Sequence, residues 1–468
     1  MKKKKNSVLQ KVLIEDYAAE GKSLARVDGK VIFVEDAVPG DIVDIRLRKN
    51  KKDWAEGNAC NFHEYSQDRV VPFCEHFGIC GGCQWQMLPY EKQLQYKQKQ
   101  VQENLKRIGK INLPELLPIV GANNRRYYRN KIEYTFGNKR FLLQHELNDP
   151  LVSPEQDVAG FHAQGIFDKV VDIRQCHLQP EPTNQIRLAV KQFATHHGFS
   201  FYDIRNHQGF LRTMQVRICR TGQIMVNIVL GHEDVNNRTK LLDHILASFP
   251  SITTLLYTIN TKMNDSLYDL IPEVYYGNGY ITETLEDFQF KIGPKSFFQT
   301  NTEQAEKLYQ VARQFAELTG NENVYDLYCG TGSIGIFVSK FAKKIVGIET
   351  VTEAINDAHE NAILNDIQHA HFFQGDVIEV CNNSFVSIHG KPDVVITDPP
   401  RAGMHEKLLH KIIDMGAPVV VYVSCNPATQ ARDLNLLSTA YEVKAIQPVD
   451  MFPHTHHIEN VVQLKLKK

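Results

Sequence analysis

Three patterns of apolar positions succeed one another along the chain. Residues 8–64 carry short alternating runs, VLQKVLIEDYA, SLARVDGKVIFVEDAV and DIVDIRLRKNKKDWAEGNA, which predict strands with one buried face. Asp28-Gly29, between two such runs, predicts a tight hairpin, and Pro39-Gly40-Asp41 marks the next turn. A small closed β-barrel is the expected result. From about residue 303 the pattern changes. EQAEKLYQVARQFAEL places Ala305, Leu308, Ala312, Phe315 and Leu318 on one helical face. NVYDLYCGTG, KIVGIE, HFFQGD, DVVITDPP and PVVVYVSCNP follow as strands rich in Val and Ile, with helices starting at Ser333 and Val351. Such strands predict a parallel sheet covered on both faces, with its ligand beyond their carboxyl ends. The stretch between these regions reads as a central α+β domain, which places the expected domains at 1–64, 65–290 and 291–468.

Composition narrows the class. The 468 residues include 9 cysteines, 53 Lys+Arg and 54 Asp+Glu, with 43% hydrophobic and 23% charged residues. That usage excludes bulk disorder, collagen-like repeats and a disulfide-stapled miniprotein. No apolar run reaches about 18 residues, so no membrane-spanning helix is expected. The start, MKKKKNSVLQ, is basic, but Glu15, Asp16 and Glu20 interrupt the segment behind it, so a secretion signal is not expected. The expectation is a cytoplasmic protein with reduced cysteines, Lys2 to Lys5 forming a solvated tail. Net charge by segment is +2, +1 and −4, from 13 basic and 11 acidic residues in 1–64, 24 and 23 in 65–290, and 16 and 20 in 291–468. The middle segment hides a local cluster, RRYYRNK. There Arg125, Arg126, Arg129 and Lys131 surround Tyr127 and Tyr128, as an RNA groove that meets phosphates with cations and bases with aromatic faces would require. A solvated strand edge is the alternative.

Cys74, Cys80 and Cys83 lie within CEHFGICGGC, and Cys176 follows after a long gap. Four thiolates suit an iron–sulfur cluster, and Gly78, Gly81 and Gly82 let the backbone wrap closely. Structural zinc is the competing reading, although zinc sites more often pair two C-x2-C knuckles and one is present here. Cys60, Cys219 and Cys381 read as ordinary small apolar residues.

Gly330, Gly332 and Gly335 spell G-x-G-x-x-G after a strand, and Glu349 ends the next one. A dinucleotide and S-adenosylmethionine both use that geometry: a glycine turn for close backbone approach and a carboxylate for the ribose hydroxyls. The choice turns on Asp398-Pro399-Pro400-Arg401 and Ser424-Cys425-Asn426-Pro427, which end two later strands on the same carboxyl edge. A dehydrogenase has no use for that pair, whereas a methyltransferase can place a substrate base between them. Carbon 5 of uracil is a poor nucleophile until a thiolate adds at carbon 6, after which a base must remove the carbon 5 proton. Cys425, on a strand-end turn, suits the first role, and Glu459 in PHTHHIENV the second. His454, His456 and His457 in that turn read as solvated or hydrogen-bonded loop in preference to a metal site.

The run from Gly21 to Gly57 resembles the TRAM domain, a small OB-like β-barrel of RNA-modifying enzymes. Together with the cysteine pattern, KSFFQTN, DLYCGTGSIGI, ITDPPRAG, VYVSCNPATQARDL and PHTHHIENV, the whole chain resembles the RNA uracil-5-carbon methyltransferases. The resemblance implies a class I, Rossmann-like S-adenosylmethionine-dependent methyltransferase domain behind the barrel and a central domain holding a four-iron four-sulfur (4Fe-4S) cluster on Cys74, Cys80, Cys83 and Cys176. It implies cofactor contacts at Gln299, Tyr328, Ser333, Glu349, Asp376 and Asp398, the nucleophile at Cys425 and the base at Glu459. Asp398 could equally bind the uracil edge, and Phe297 resembles a residue that packs against a flipped base. With Arg125, Arg126 and Arg129, Phe297 completes the expected RNA contacts. Within the family, barrel and cluster together point to 23S ribosomal RNA of the large subunit, with a monomeric enzyme expected. Transfer RNA as substrate, a non-catalytic RNA-binding iron–sulfur protein and a zinc-stabilised dinucleotide enzyme are the alternatives. ELNDPLVSPEQDV, within 145–165, is expected to be a surface excursion.

Overall fold

The computed structural model describes residues 7–147, 149 and 151–468; the basic run Lys2 to Lys5 lies outside the described residues. Strands β1 (Val8–Leu13), β2 (Asp16–Tyr17), β3 (Ser23–Val27), β4 (Lys30–Glu35), β5 (Ile42–Asn50) and β6 (Trp54–Glu64) form a six-stranded sheet in the order β1-β5-β6-β4-β3-β2. Alternation buries Ala25, Ile32, Val34, Val43, Ile45 and Ala55 in its core. Asp28 and Gly29 both take positive φ, 50° and 78°, as a two-residue hairpin turn of matching twist requires. The expected closed barrel forms: β1 and β2, the two ends of the ladder, are separated only by Ile14 and Glu15, and pair with β5 and β3 respectively. The Ile14 N–H donates to Asp41 O at 2.9 Å and the Glu15 N–H to Leu24 O at 2.8 Å, so one bent strand joins the two sides.

The next unit contains α1 (Tyr90–Asn104), β7 (Lys131–Lys139), β8 (Glu155–His162), β9 (Val170–Asp172), α2 (Thr183–His196), β10 (Leu211–Ile218), β11 (Ile224–Leu230), α3 (Val235–Ser248), β12 (Thr254–Ile259) and β13 (Glu273–Tyr276). Its seven-stranded sheet runs β13-β12-β11-β10-β7-β8-β9. Period-two alternation puts Ile132, Tyr134, Phe136, Met214, Val216, Val226 and Ile228 on one face, against Ile186 and Val190 of α2 and Leu241 and Ile245 of α3. The expected surface excursion ends in a strand. Residues 155–162 are β8, paired between β7 and β9, because Val158 and Ala159 are fully buried despite the polar EQD before them.

The C-terminal unit adds the hairpin β14 (Ile281–Leu285) and β15 (Phe288–Ile292), then α4 (Thr302–Ala316), β16 (Asn323–Leu327), α5 (Ser333–Val338), β17 (Lys344–Glu349), α6 (Thr352–Leu364), β18 (Ala370–Gln374), α7 (Val377–Val380), α8 (Asn383–His389), β19 (Val394–Thr397), α9 (Glu406–Met415), β20 (Val419–Ser424), α10 (Pro427–Leu437), β21 (Tyr441–Val449) and β22 (Glu459–Leu466). Ala305, Leu308, Ala312 and Phe315 are the buried face of α4; Leu318 lies past the helix end and still packs on the core. The sheet order is β18-β17-β16-β19-β20-β22-β21, parallel through the first five and antiparallel at β22. From β16 the chain crosses to β17 on one side and later returns to β19 on the other, which opens a crevice beyond the carboxyl end of β16.

Candidate active site

At the end of β16 the chain turns through left-handed conformations at Tyr328, Gly330 and Gly332, with φ of 63°, 54° and 75°. At Gly330 the requirement is conformational, since an added Cβ would meet nothing; at Gly332 it is also steric, because a Cβ would come within 2.9 Å of Phe372 Cζ. Glu349, at the end of β17, points back to this turn: its carboxylate accepts N–H groups from Gly330 at 3.3 Å, Thr350 at 2.7 Å and Val351 at 3.0 Å. Asp376 caps α7 by accepting the Ile378 N–H at 2.7 Å. Ser333 Oγ is paired with the buried Tyr309 hydroxyl at 2.9 Å. Tyr328 is half-buried and Gln299 buried, its carbonyl accepting Asn130 Nδ2 at 2.9 Å. The expected cofactor residues Tyr328, Ser333 and Glu349 thus gather at one turn, with Asp376 opening a helix beyond the strand after Glu349's.

Beside this turn, β20 runs out at Ser424, opposite Asn460 of antiparallel β22. Continuing that register sets Cys425 facing Glu459. Asp398 follows β19, the neighbour of β20. The two proline turns are stitched together, Asn426 Nδ2 and Thr429 Oγ1 both donating to Arg401 O at 3.0 and 3.2 Å. Burial and then Asp398 push the Glu459 carboxyl well above the usual range, with Arg401 opposing. Burial lifts Asp398 to about 7. The Cys425 thiol goes up to about 11 through burial, then Glu459 and Asp398, again opposed by Arg401. Phe297 stands 72% exposed.

Sequence reasoning passed over Asp326 and Arg401. Asp326 is fully buried in β16, one oxygen accepting the Gly335 N–H at 2.8 Å and the other without a partner, its carboxyl pushed up to about 7 by burial. A lone acid inside an apolar strand is the signal that could have found it. Arg401 is the cation that acts on both Cys425 and Glu459, and it stood in plain view in the DPPR motif.

The basic cluster splits. Tyr128 belongs to the core of the central sheet, whereas Tyr127 is exposed. The three guanidinium groups lie over rings: Arg125 over Tyr90 at 4.3 Å, Arg126 over Phe73 at 3.8 Å and Arg129 over Phe452 at 5.5 Å. Arg129 also donates to Thr300 Oγ1 at 3.2 Å, which ties the cluster to the segment carrying Phe297 and Gln299.

Cys74, Cys80, Cys83 and Cys176 line one cavity of about 400 Å³. Asn184 brings the distant Cys176 there, its side chain bonding both the N–H and the carbonyl of that residue at 2.8 and 3.1 Å. Burial pushes the Cys80 and Cys83 thiols up to about 12. Among the described residues, no three His, Cys, Asp or Glu side chains converge tightly enough to hold a single metal ion. That holds for the His-rich turn as well, where His454 is buried and hydrogen-bonded and His456 and His457 are partly buried. Burial drives His454 and His457 down to about 4, and His454 Nδ1 pairs with Gln93 Nε2 at 3.2 Å. Cys219, Cys329 and Cys381 are buried as small apolar residues; Cys60 is exposed, on the outward face of β6.

Comparison with known proteins bears on these sites. Residues 272–467 match the family described as tRNA (Uracil-5-)-methyltransferase, and residues 3–60 match the TRAM domain. A protein of Bacteroides thetaiotaomicron named an uncharacterized RNA methyltransferase is 52% identical over 96% of this chain and 100% of its own length. The chain belongs to the RNA uracil-5 methyltransferase family. A second relative in the family, from Porphyromonas gingivalis and also named an uncharacterized RNA methyltransferase, is 49% identical over 96% of this chain and 98% of its own. Among solved structures, the Pyrococcus abyssi tRNA (uracil-54, C5)-methyltransferase in complex with S-adenosyl-L-homocysteine superimposes with a TM-score of 0.74 at 28% identity, covering 97% of this chain and 100% of that one. No helix among the described residues is long and apolar enough to cross a membrane.

Proposed function

We propose that the protein methylates carbon 5 of a uridine in RNA, with large-subunit (23S) ribosomal RNA as the substrate. The observation that carries the reading is the register that sets Cys425 opposite Glu459, with Asp398 on the adjoining strand end. S-adenosylmethionine, when bound, supplies an electrophilic methyl group. The left-handed glycine turn, the Glu349 carboxylate and the −4 charge of 291–468 suit a cationic sulfonium with ribose hydroxyls. Cys425 passes its thiol proton to the neighbouring Asp398 carboxylate as its sulfur adds to carbon 6, which leaves carbon 5 electron-rich. Once carbon 5 carries the methyl group, Glu459 takes the carbon 5 proton. That electron pair restores the 5,6 double bond and expels the Cys425 thiolate. The raised Glu459 pKa makes it a stronger base than a solvated carboxylate. Phe297 packs on the flipped base, and Arg125, Arg126 and Arg129 meet the RNA around it.

The cavity bounded by Cys74, Cys80, Cys83 and Cys176 suits a 4Fe-4S cluster. Four thiols spread around a volume of about 400 Å³ fit a group larger than one ion. Such a group would fasten the 74–83 loop to Cys176.

Transfer RNA is a second reading, favoured by one observation: the tRNA-directed Pyrococcus enzyme covers 97% of this chain, which leaves no room for the barrel to be missing from it. Methylation assays on unmodified ribosomal and transfer RNA, with 5-methyluridine mapped by sequencing, separate the two. Methyl groups in ribosomal RNA are expected; methylation of transfer RNA alone overturns the ribosomal assignment, and none in either overturns the activity.

A further inference from the structure

The loop between β21 and β22 leads into Glu459, and it is held from outside over its first five residues. Five consecutive carbonyls each receive a donor from another part of the chain. Asp450 O takes Gln304 Nε2 at 2.7 Å, Met451 O takes Asn301 Nδ2 at 2.8 Å, and Phe452 O takes Lys97 Nζ at 3.1 Å. Pro453 O takes the Tyr128 hydroxyl at 3.0 Å, and His454 O takes the N–H groups of Gln84 and Trp85 at 2.9 and 3.0 Å. The His454 N–H donates to Gln93 Oε1 at 2.8 Å. A hairpin loop ordinarily leaves its carbonyls to water.

Two further features show what the clamp withstands. His454 is held in the left-handed region at φ 66°, where a non-glycine residue is strained and persists only when its surroundings over-determine it. Lys97, fully buried, pairs with Asp450 at 2.6 Å, while the other Asp450 oxygen accepts the Tyr90 hydroxyl at 2.7 Å. A buried ion pair is a poor way to gain stability, but its directional bonds fix orientation. The donors come from α1, from the strap that follows Cys83, from Tyr128 of the central core and from the start of α4, so the loop carrying the base is set by elements outside its own hairpin.

We infer that Gln93, Lys97 and Tyr128 are positioning residues for proton abstraction: they hold the loop 450–458 so that Glu459 meets the carbon 5 proton. This rests on the proposed covalent mechanism. A misplaced base leaves addition of Cys425 intact and slows the step that releases the product, so the covalent protein–RNA species builds up.

The test compares Gln93→Met and Tyr128→Phe with Glu459→Gln in the full-length protein. The readouts are kcat, KM for the RNA substrate and the fraction of enzyme in an adduct stable to denaturing gels. Tyr128→Phe removes one hydroxyl from a core ring and keeps the experiment decisive where Gln93→Met fails to fold. Both variants are expected to lose about 10- to 100-fold in kcat, with KM within roughly threefold and adduct accumulating as in Glu459→Gln. Unchanged kcat, or a lowered kcat without adduct, overturns the positioning role. Free turnover by Glu459→Gln instead removes the mechanism on which the inference rests, so the two failures are distinguishable.

Discussion

At the carboxyl edge of the C-terminal sheet, Cys425 shares its surroundings with two carboxyls and a guanidinium: Asp398 and Arg401, on the turn after β19, and Glu459, the first residue of β22. Around the cavity of the central unit, Cys80 and Cys83 have mainly Cys74 and Cys176 as their charged neighbours. Burial raises the thiol pKa in both places, to about 11 and about 12. The neighbours decide the chemistry each thiol can do. A carboxylate pair can accept and return protons, so a thiol beside it can cycle between free and bonded states. Thiols crowded against one another oppose each other's ionisation, and a cationic centre is what stabilises them together. On the proposed mechanism and cluster, one residue type serves a reaction at one site and a scaffold at the other.

The largest effect that sharpens this contrast comes from Cys425→Ala. Removing a nucleophile costs on the order of 10³-fold or more in kcat, whereas Cys381→Ala, a buried thiol away from both clusters, stays within a few-fold. Equal losses from the two would erase the distinction.

The carboxyl pair gives the next effect, in pH. The base must be ionised to act, and burial together with mutual repulsion holds its pKa high, Asp398 at about 7. Activity should therefore fall tenfold per unit along an acid limb that lies well above that of an ordinary carboxylate. Asp398→Asn removes one of the two charges and should move that limb to lower pH, whatever it does to the rate. A limb that stays in place shows that the pair does not titrate together.

At the scaffold site, Cys176→Ser should abolish iron incorporation and lower stability by roughly 3 kcal/mol, read by metal analysis and thermal melting. Retained iron would sink the four-ligand assignment.

The smallest effect is a gain. Buried Glu459 has a folded pKa above its unfolded one, so the fold favours its protonated form; that contribution is full below about pH 4 and is lost as pH rises through the raised value. Glu459→Gln should therefore raise stability at pH 8 and leave it unchanged below about pH 4. A gain that persists below about pH 4 would assign the effect to packing.

The two sites also differ in how far the chain announces them. The catalytic edge is written locally: Gly330 and Gly332 break a strand, Pro399 and Pro427 end two more, and Cys425 and Glu459 sit beside those marks. Helix α4 reads directly from its apolar spacing because its buried face repeats at 3.6 residues. The clamp on the Glu459 loop was not legible, since Lys97 and Asp450, or Gln93 and His454, are polar partners more than 350 positions apart, and such pairs leave no period. Tyr128, read among cations as a base-stacking ring, went to the core because the chain turns at Tyr127, φ 56°, before entering β7. Strand β8 was hidden by a polar start.

Covalent attack by Cys425 with release by Glu459 is the claim on which the other assignments at this edge depend. The decisive measurement is to mix Glu459→Gln with unmodified RNA and S-adenosylmethionine and to look on a denaturing gel for a protein–RNA band. A band that forms with that variant and disappears when Cys425→Ala is added to it is the expected result. Multiple turnovers of 5-methyluridine by Glu459→Gln with no trapped band would contradict the covalent route.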